Sequence, residues 1–293
     1  MQVILHAGAH ATDEDKLLRC LLRNADALRD RGVAVPGPSR YRQILSGALG
    51  ALTKADPAPD ARDIMLDTIL DEDAENFDRL ILSQDHLFCV PKIAIGAGLL
   101  YPKAHERLIN AQRLFKDDTL ELFIGLRNPA TWLPAVFETT PHQDFQSFLN
   151  GADPAYLRWS ELFERLQEHL PDLKITAWCN EDSPLIWGEI VRALAGLPSG
   201  AKINGAFDLL SRIMSPEGMQ RFRGFLRDHP GIPEVQKRKA MLAFLDKYAL
   251  EDEVDEEVDI AGWSDDYIDL LTDMYDADVE RIVNMPNVTF IAP

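Results

Sequence analysis

VILHAGAHATDEDKLLRCLLRNADALRDRG, residues 3–32, decides how the rest of the chain is read. Val3-Ile4-Leu5 has the β-branched, aliphatic character of a short strand. His6 to Ala11 are mostly small residues and read as a tight turn. A helix is expected from Thr12, with Thr12 as its cap and Asp15 as a short capping-box acid. Leu17, Leu18, Leu21, Leu22, Ala25 and Leu28 follow at helical spacing, and Gly32 offers a stop. A strand, turn and helix of this kind present free backbone N–H groups and a positive dipole end beside a sheet edge.

The charge of this loop does not suit an anion. Gly8 is its only glycine, and no G-x-x-x-x-G-K-[ST] is present. Asp13, Glu14 and Asp15 sit where the first helical turn is expected. Each stabilises a helix start by roughly 0.3–1 kcal/mol. Each would also repel a phosphate by about 3 kcal/mol at ~5 Å and an effective dielectric near 20.

The pattern downstream alternates strands with helices. Val33-Ala34-Val35, Arg79 to Ser83, Thr119 to Leu126, Leu173 to Trp178 and Asn287 to Ile291 read as strands. Helices are expected over residues 40–72 with a break at Ala55 to Pro59, then over 103–115, 130–138, 145–149, 155–169 and 183–197. Pro129 suits a first helical position, where no N–H partner is lost. Such alternation implies a parallel sheet covered on both faces, a three-layer α/β sandwich. Residues 1–204 read as the α/β core, and 205–250 as a helical insertion or lid. Residues 251–263 begin with the run EDEVDEEVD and read as an acidic linker. Residues 264–293 read as a C-terminal helix and a strand that returns to the core.

The composition narrows the partners. The chain has 293 residues, is 46% hydrophobic and carries a net charge of −18. That is enough for a substantial core, and it makes nucleic acid and anionic membrane poor partners. Cys20, Cys89 and Cys179 form neither a CxxC pair nor a metal spacing, so a reduced, cytoplasmic setting is expected. No apolar run is long enough to span a membrane, and no signal peptide is visible.

Several segments carry a family resemblance. VILHAGAHAT, then a helix and GVAVP, resembles the opening of bacterial sulfotransferases that use the sulfate donor PAPS, typically ILHIGMHKTGTTSLQ. LFIGLRNPATWLPAVFE is similar to that family's second signature, a strand, R-[DN]-P and a helix. WCNEDSPL resembles its strand and acidic turn, and NVTFIAP its closing strand. The resemblance implies a sulfotransferase-like fold related to nucleotide kinases. It places the donor, PAPS or the product adenosine 3′,5′-bisphosphate, on Gly8, Ala9, His10, Ala11, Thr12, Arg127, Asn128 and Ala135. Arg127 would hold the 3′-phosphate. At the exit of the Arg79–Ser83 strand it implies Asp85 as base on an acceptor hydroxyl, with His86 beside it and His10 as a further catalytic candidate.

The departures are concentrated on the donor. Aligned on Gly8 and His10, the family's loop Lys falls on Ala11, its Gly on Asp13, and its two Thr on Glu14 and Asp15. Its later Ser falls on Ala135, and only Thr12 is kept. Lys16 is the nearest replacement for the lost cation. Each candidate also has a plainer reading: His10 satisfied by backbone, Asp85 capping a turn, Arg127 paired with Asp13, Glu14 or Asp15. Glu181 and Asp182 suit a helix cap, and the basic helices over 212–239 either cover an anionic ligand or form a solvated face. A metal site at Asp13 and Asp15 is not expected, since the glycine spacing of a calcium loop is absent.

Two functions remain. One is a sulfotransferase acting on a small-molecule or carbohydrate hydroxyl or amine. The other is a family member that has lost PAPS catalysis and works as a binding or regulatory protein, with a protein partner possible. The missing Lys, Gly, Thr pair and Ser favour the second.

Overall fold

In the computed structural model, residues 1–254, 258 and 260–293 are described. Six strands form the main sheet: β1 (Gln2–His6), β2 (Val33–Ala34), β3 (Arg79–Ser83), β4 (Thr119–Leu126), β5 (Lys174–Cys179) and β6 (Val288–Phe290). Their spatial order is β2-β3-β1-β4-β5-β6, and every neighbouring pair is parallel. A separate antiparallel pair joins Ile95–Gly96 to Leu99–Leu100.

Burial on both faces explains why the central strands read as unbroken apolar runs. Val3, Leu5, Leu80, Leu82, Leu122 and Ile124 point into one core. The helices Pro38–Ala51, Ala104–Leu114, Pro129–Glu138 and Trp159–His169 supply its other side through Leu45, Leu108, Trp132 and Phe163. Ile4, Ile81, Phe123 and Trp178 point the opposite way, onto the helices Lys16–Arg23 and Ser183–Leu194. The molecule is therefore a three-layer α/β sandwich around a parallel sheet. A third, smaller cluster of Leu210, Met214, Met219, Phe222 and Met241 belongs to the helices after residue 205.

Topology places the functional crevice. From β1 the chain moves outward to one side of the sheet, and from β4 it moves to the other. Parallel α/β sheets open a cleft at such a reversal, outside the carboxyl ends of the strands. Here those ends carry the loops after His6 and after Leu126.

The first helix departs from its expected course. It begins at Lys16 rather than at Thr12. Thr12 Oγ donates 2.6 Å to the carbonyl of Ala9, so it caps nothing. Asp15, at the cap position, makes no side-chain cap bond. Asp13 does the capping: its Oδ2 accepts the Leu17 N–H at 3.0 Å. Ala11, Glu14 and Asp15 all have φ near +50 to +60° (54, 48 and 62°), so the loop makes two left-handed turns before the helix can start. The helix also stops early. Asn24 interrupts it, donating from Nδ2 to the carbonyls of Cys20 and Asn204, and the chain resumes as Ala25–Arg29.

The C-terminal part follows the pattern read from sequence more closely. Ser264 caps the helix Asp265–Val283, and β6 pairs with β5. Of the acidic run, Glu251–Val254 form one helical turn, and residues 255–257 and 259 lie outside the described residues. Among the described residues, no helix is long and apolar enough to cross a membrane.

Asp278 joins this last helix to the core. It is buried, and its Oδ2 accepts the N–H groups of Trp159 at 2.7 Å and Ser160 at 3.1 Å. Its Oδ1 accepts the Ser160 hydroxyl. A carboxylate from one helix thus caps the start of another. Replacing it with Ala strands two buried backbone N–H groups and the Ser160 hydroxyl, and removes a charge-assisted cap. Asp278→Ala should cost about 2–3 kcal/mol in urea denaturation. A loss below roughly 0.5 kcal/mol would show the cap to be dispensable.

Candidate functional site

The crevice is built from three strand exits. The β1 exit contributes His6 to Asp15, the β3 exit Gln84 to His86, and the β4 exit Arg127 and Asn128. His6 is buried, with Nδ1 2.9 Å from Ser83 Oγ and its ring stacked on Trp178.

His10 is locked from both ends. Its backbone N–H donates to the Tyr101 hydroxyl at 3.0 Å, and that hydroxyl lies 2.9 Å from Nδ1. Nε2 donates to the carbonyl of Cys89 at 3.1 Å. This pattern fixes the Nε2–H tautomer, with Tyr101 donating to Nδ1. Burial, reinforced by the nearby His86 ring, pushes the His10 pKa down to about 4. Both ring nitrogens are engaged within the protein, so the imidazole fastens the loop. The carbonyl of His10 accepts from Trp132 Nε1 at 2.8 Å.

Two carboxylates converge over Gly8: a Cβ there would be 3.1 Å from Asp85 Oδ1 and 3.4 Å from Asp13 Oδ1. A side chain at position 8 would crowd both. Burial, and then the charges of Asp13 and Asp15, raise the Asp85 pKa above the ordinary carboxylate range. Among the described residues, its buried Oδ1 has no hydrogen-bond partner, and neither has Gln84 Oε1.

The counter-charge comes from a residue that the sequence did not single out. Arg42, on the helix Pro38–Ala51, grips Asp15 with both terminal nitrogens. It also donates from Nε to the carbonyl of Ser83 at 3.0 Å and lies 4.0 Å from Asp85. The Arg42 hydrogen bond holds the Asp15 pKa below its usual value. Position is the only cue in sequence, a cation near the start of the helix after GVAVPGP. Tyr101 gave no cue at all.

The remaining candidates take structural contacts. Arg127 donates from Nε to Thr131 Oγ at 3.1 Å and from Nη1 to the carbonyl of Ala11. Asp15 is bound by Arg42, and Lys16 pairs with Glu14 at 2.9 Å. Asn128 caps the helix Pro129–Glu138 through Oδ1 and donates from Nδ2 to Thr272. Its N–H is taken by Glu181 Oε1 at 2.7 Å, while Tyr275 donates to Oε2. Burial raises the Glu181 pKa. Glu181 thus reaches across to the next strand exit, and Asp182 makes no side-chain cap bond at the following helix. Ala135 is a half-buried position of the Pro129–Glu138 helix, and Ala9 is buried. His86 is exposed beside a polar cleft of about 280 Å³ lined by Arg42, Gln43, Ser46, Gln84 and Asp85. Among the described residues, no group of His, Cys, Asp and Glu is arranged to hold a metal ion.

No family model, curated protein or solved structure matches this chain.

The two perturbed aspartates make opposite predictions. Asp85 has a raised native pKa, so its ionisation costs stability as pH climbs above the unfolded value near ~3.9. Asp85→Asn should raise the melting temperature at neutral pH and lose that gain in acid. Asp15 has a lowered native pKa, so it stabilises above its unfolded value and stops doing so as pH falls through the native one. Asp15→Asn should cost roughly 0.5–1 kcal/mol at neutral pH and converge with wild type in acid. Melting curves across pH check both. Shifts of the same sign at neutral pH would refute this account of the cluster.

Proposed function

We propose that this protein is a sulfotransferase-like binding protein that no longer transfers sulfuryl groups from PAPS. One observation carries this reading: protein groups of the wrong sign occupy the donor side of the crevice. Asp13 takes the helix-start N–H that a phosphate would use, and Asp85 converges with it over Gly8. Ala11 stands where the resemblance calls for a lysine, and its carbonyl accepts from Arg127. PAPS and adenosine 3′,5′-bisphosphate carry several negative charges, and these residues do not fit them. Losing one donor that stabilises developing oxyanion charge commonly costs about 10²–10³ in rate.

On this reading the surviving half of the site is the acceptor side. The cleft at Arg42, Gln84, Asp85 and His86 is polar and sized for part of a small hydroxyl- or amine-bearing molecule. The second reading, an active sulfotransferase, is favoured by Asp85, whose raised pKa and unpartnered oxygen suit a base.

Thermal melting with adenosine 3′,5′-bisphosphate separates the two. The binding-protein reading expects no stabilisation even at millimolar ligand. A ligand that binds only the native state must stabilise it by mass action, so a silent result is informative. Stabilisation that disappears in Arg127→Ala would overturn the proposal in favour of the enzyme.

A further inference from the structure

The helices after residue 205 pack back onto the core and leave a cavity of about 570 Å³ against the helix Ser183–Leu194. Its volume falls within the range typical of small-molecule sites, ~300–1,000 Å³. None of Gly8, Asp13, Asp85 or Arg127 lines it. Gly188 on that helix faces Arg192 and the segment around Ala206: a Cβ there would be 3.3 Å from Arg192 Nη1 and 3.4 Å from the Ala206 methyl.

The lining has two chemistries. Leu185, Ile203, Phe207 and Met241 give an apolar wall. The polar wall is cationic. Arg192 is buried and lies 3.2 Å from Glu234 Oε1, and Lys237 Nζ lies 2.7 Å from that same oxygen. One carboxylate oxygen therefore serves two cations. Lys202 is a third cation on the lining. The other lining acid, Glu189, is paired with Arg238. The lining thus carries three cations against two carboxylates, one of which Arg238 already neutralises from outside it, in a chain whose net charge is −18. A local positive excess on so acidic a molecule favours an anion at this place. The apolar wall beside it adds contact area that a ligand with an apolar body can use and a small hydrated ion such as phosphate cannot.

We propose that this cavity binds an amphipathic organic anion, an apolar chain or ring ending in a carboxylate. The head group lies at Arg192, Lys237 and Lys202, sharing the first two with Glu234. The apolar body lies on Leu185, Ile203, Phe207 and Met241. Of the basic residues at 212–239 that stood out in sequence, Lys237 is the one lining this cavity; the site is completed by Arg192 and Lys202 from the preceding segments. The proposal is independent of any role for the crevice.

The test is calorimetric titration of the full chain with octanoate, and with octan-1-ol as its uncharged counterpart. Octanoate should bind saturably at one site per chain, at least about tenfold more tightly than the alcohol. Lys237→Glu should weaken octanoate by about tenfold or more, and Ile232→Trp, which adds bulk at a lining position, should weaken it at least as much. Arg42→Ala, in the crevice, should leave it unchanged. Should Lys237→Glu fail to fold by circular dichroism, Lys202→Glu at the exposed rim reads the same head-group contact. Absence of saturable binding at millimolar octanoate, alcohol binding equal to the acid, or indifference to both charge reversals would each overturn the proposal.

Discussion

Three carboxylates held close together at the end of the central strand set the terms for everything around them. Asp13, Asp15 and Asp85 converge on a loop that the sheet topology would make an anion cradle. Like charges in a half-buried site need compensation, and each acid obtains it differently. Asp13 uses the N–H of a helix start, and Asp15 uses the guanidinium of Arg42. Asp85 has only a distant share of Arg42, and its pKa rises instead. The loop backbone is bent to suit, with three non-glycine residues in left-handed conformations.

Such a loop needs an external frame, because its own backbone is strained. Aromatic side chains provide it. Tyr101 bonds both the backbone and the ring of His10, Trp132 bonds the His10 carbonyl, and Trp159 donates to the carbonyl of Arg127. Tyr101, Trp132 and Trp159 also pack edge-on or tilted against one another, with centroids 5.3 to 6.2 Å apart. The two loops flanking the crevice are thereby pinned to one apolar block. Pre-set geometry of this kind suits binding without large rearrangement.

The fold was legible where the chain repeats one physical cue. Arg79–Ser83 and Thr119–Leu126 were readable to the residue because strands buried on both faces leave continuous apolar runs. Ser264 announced its helix because a local side chain caps it. The first helix was misjudged because leucine periodicity says where a helix packs, not where it starts, and Asp13 outcompeted Thr12 for the cap. The site was legible only in part. Gly8, His10, Asp85 and Arg127 do gather at one crevice, yet their partners Arg42, Tyr101 and Cys89 come from distant segments. No spacing rule links residues that meet only through the fold.

The cap that Asp278 lends to the helix Trp159–His169 has a bearing on how the molecule is made. That helix lies in the middle of the sequence, but its start is completed by a residue more than a hundred positions later. On the ribosome, two backbone amides of an already emerged segment must wait, solvated, while the basic helices and the acidic run are synthesised. Docking of the last helix and pairing of β6 are then late, long-range events that close the sheet edge at β5. Until then an unpaired strand edge stands open to a neighbouring chain, which makes nascent protein, rather than finished protein, the form most exposed to misassembly.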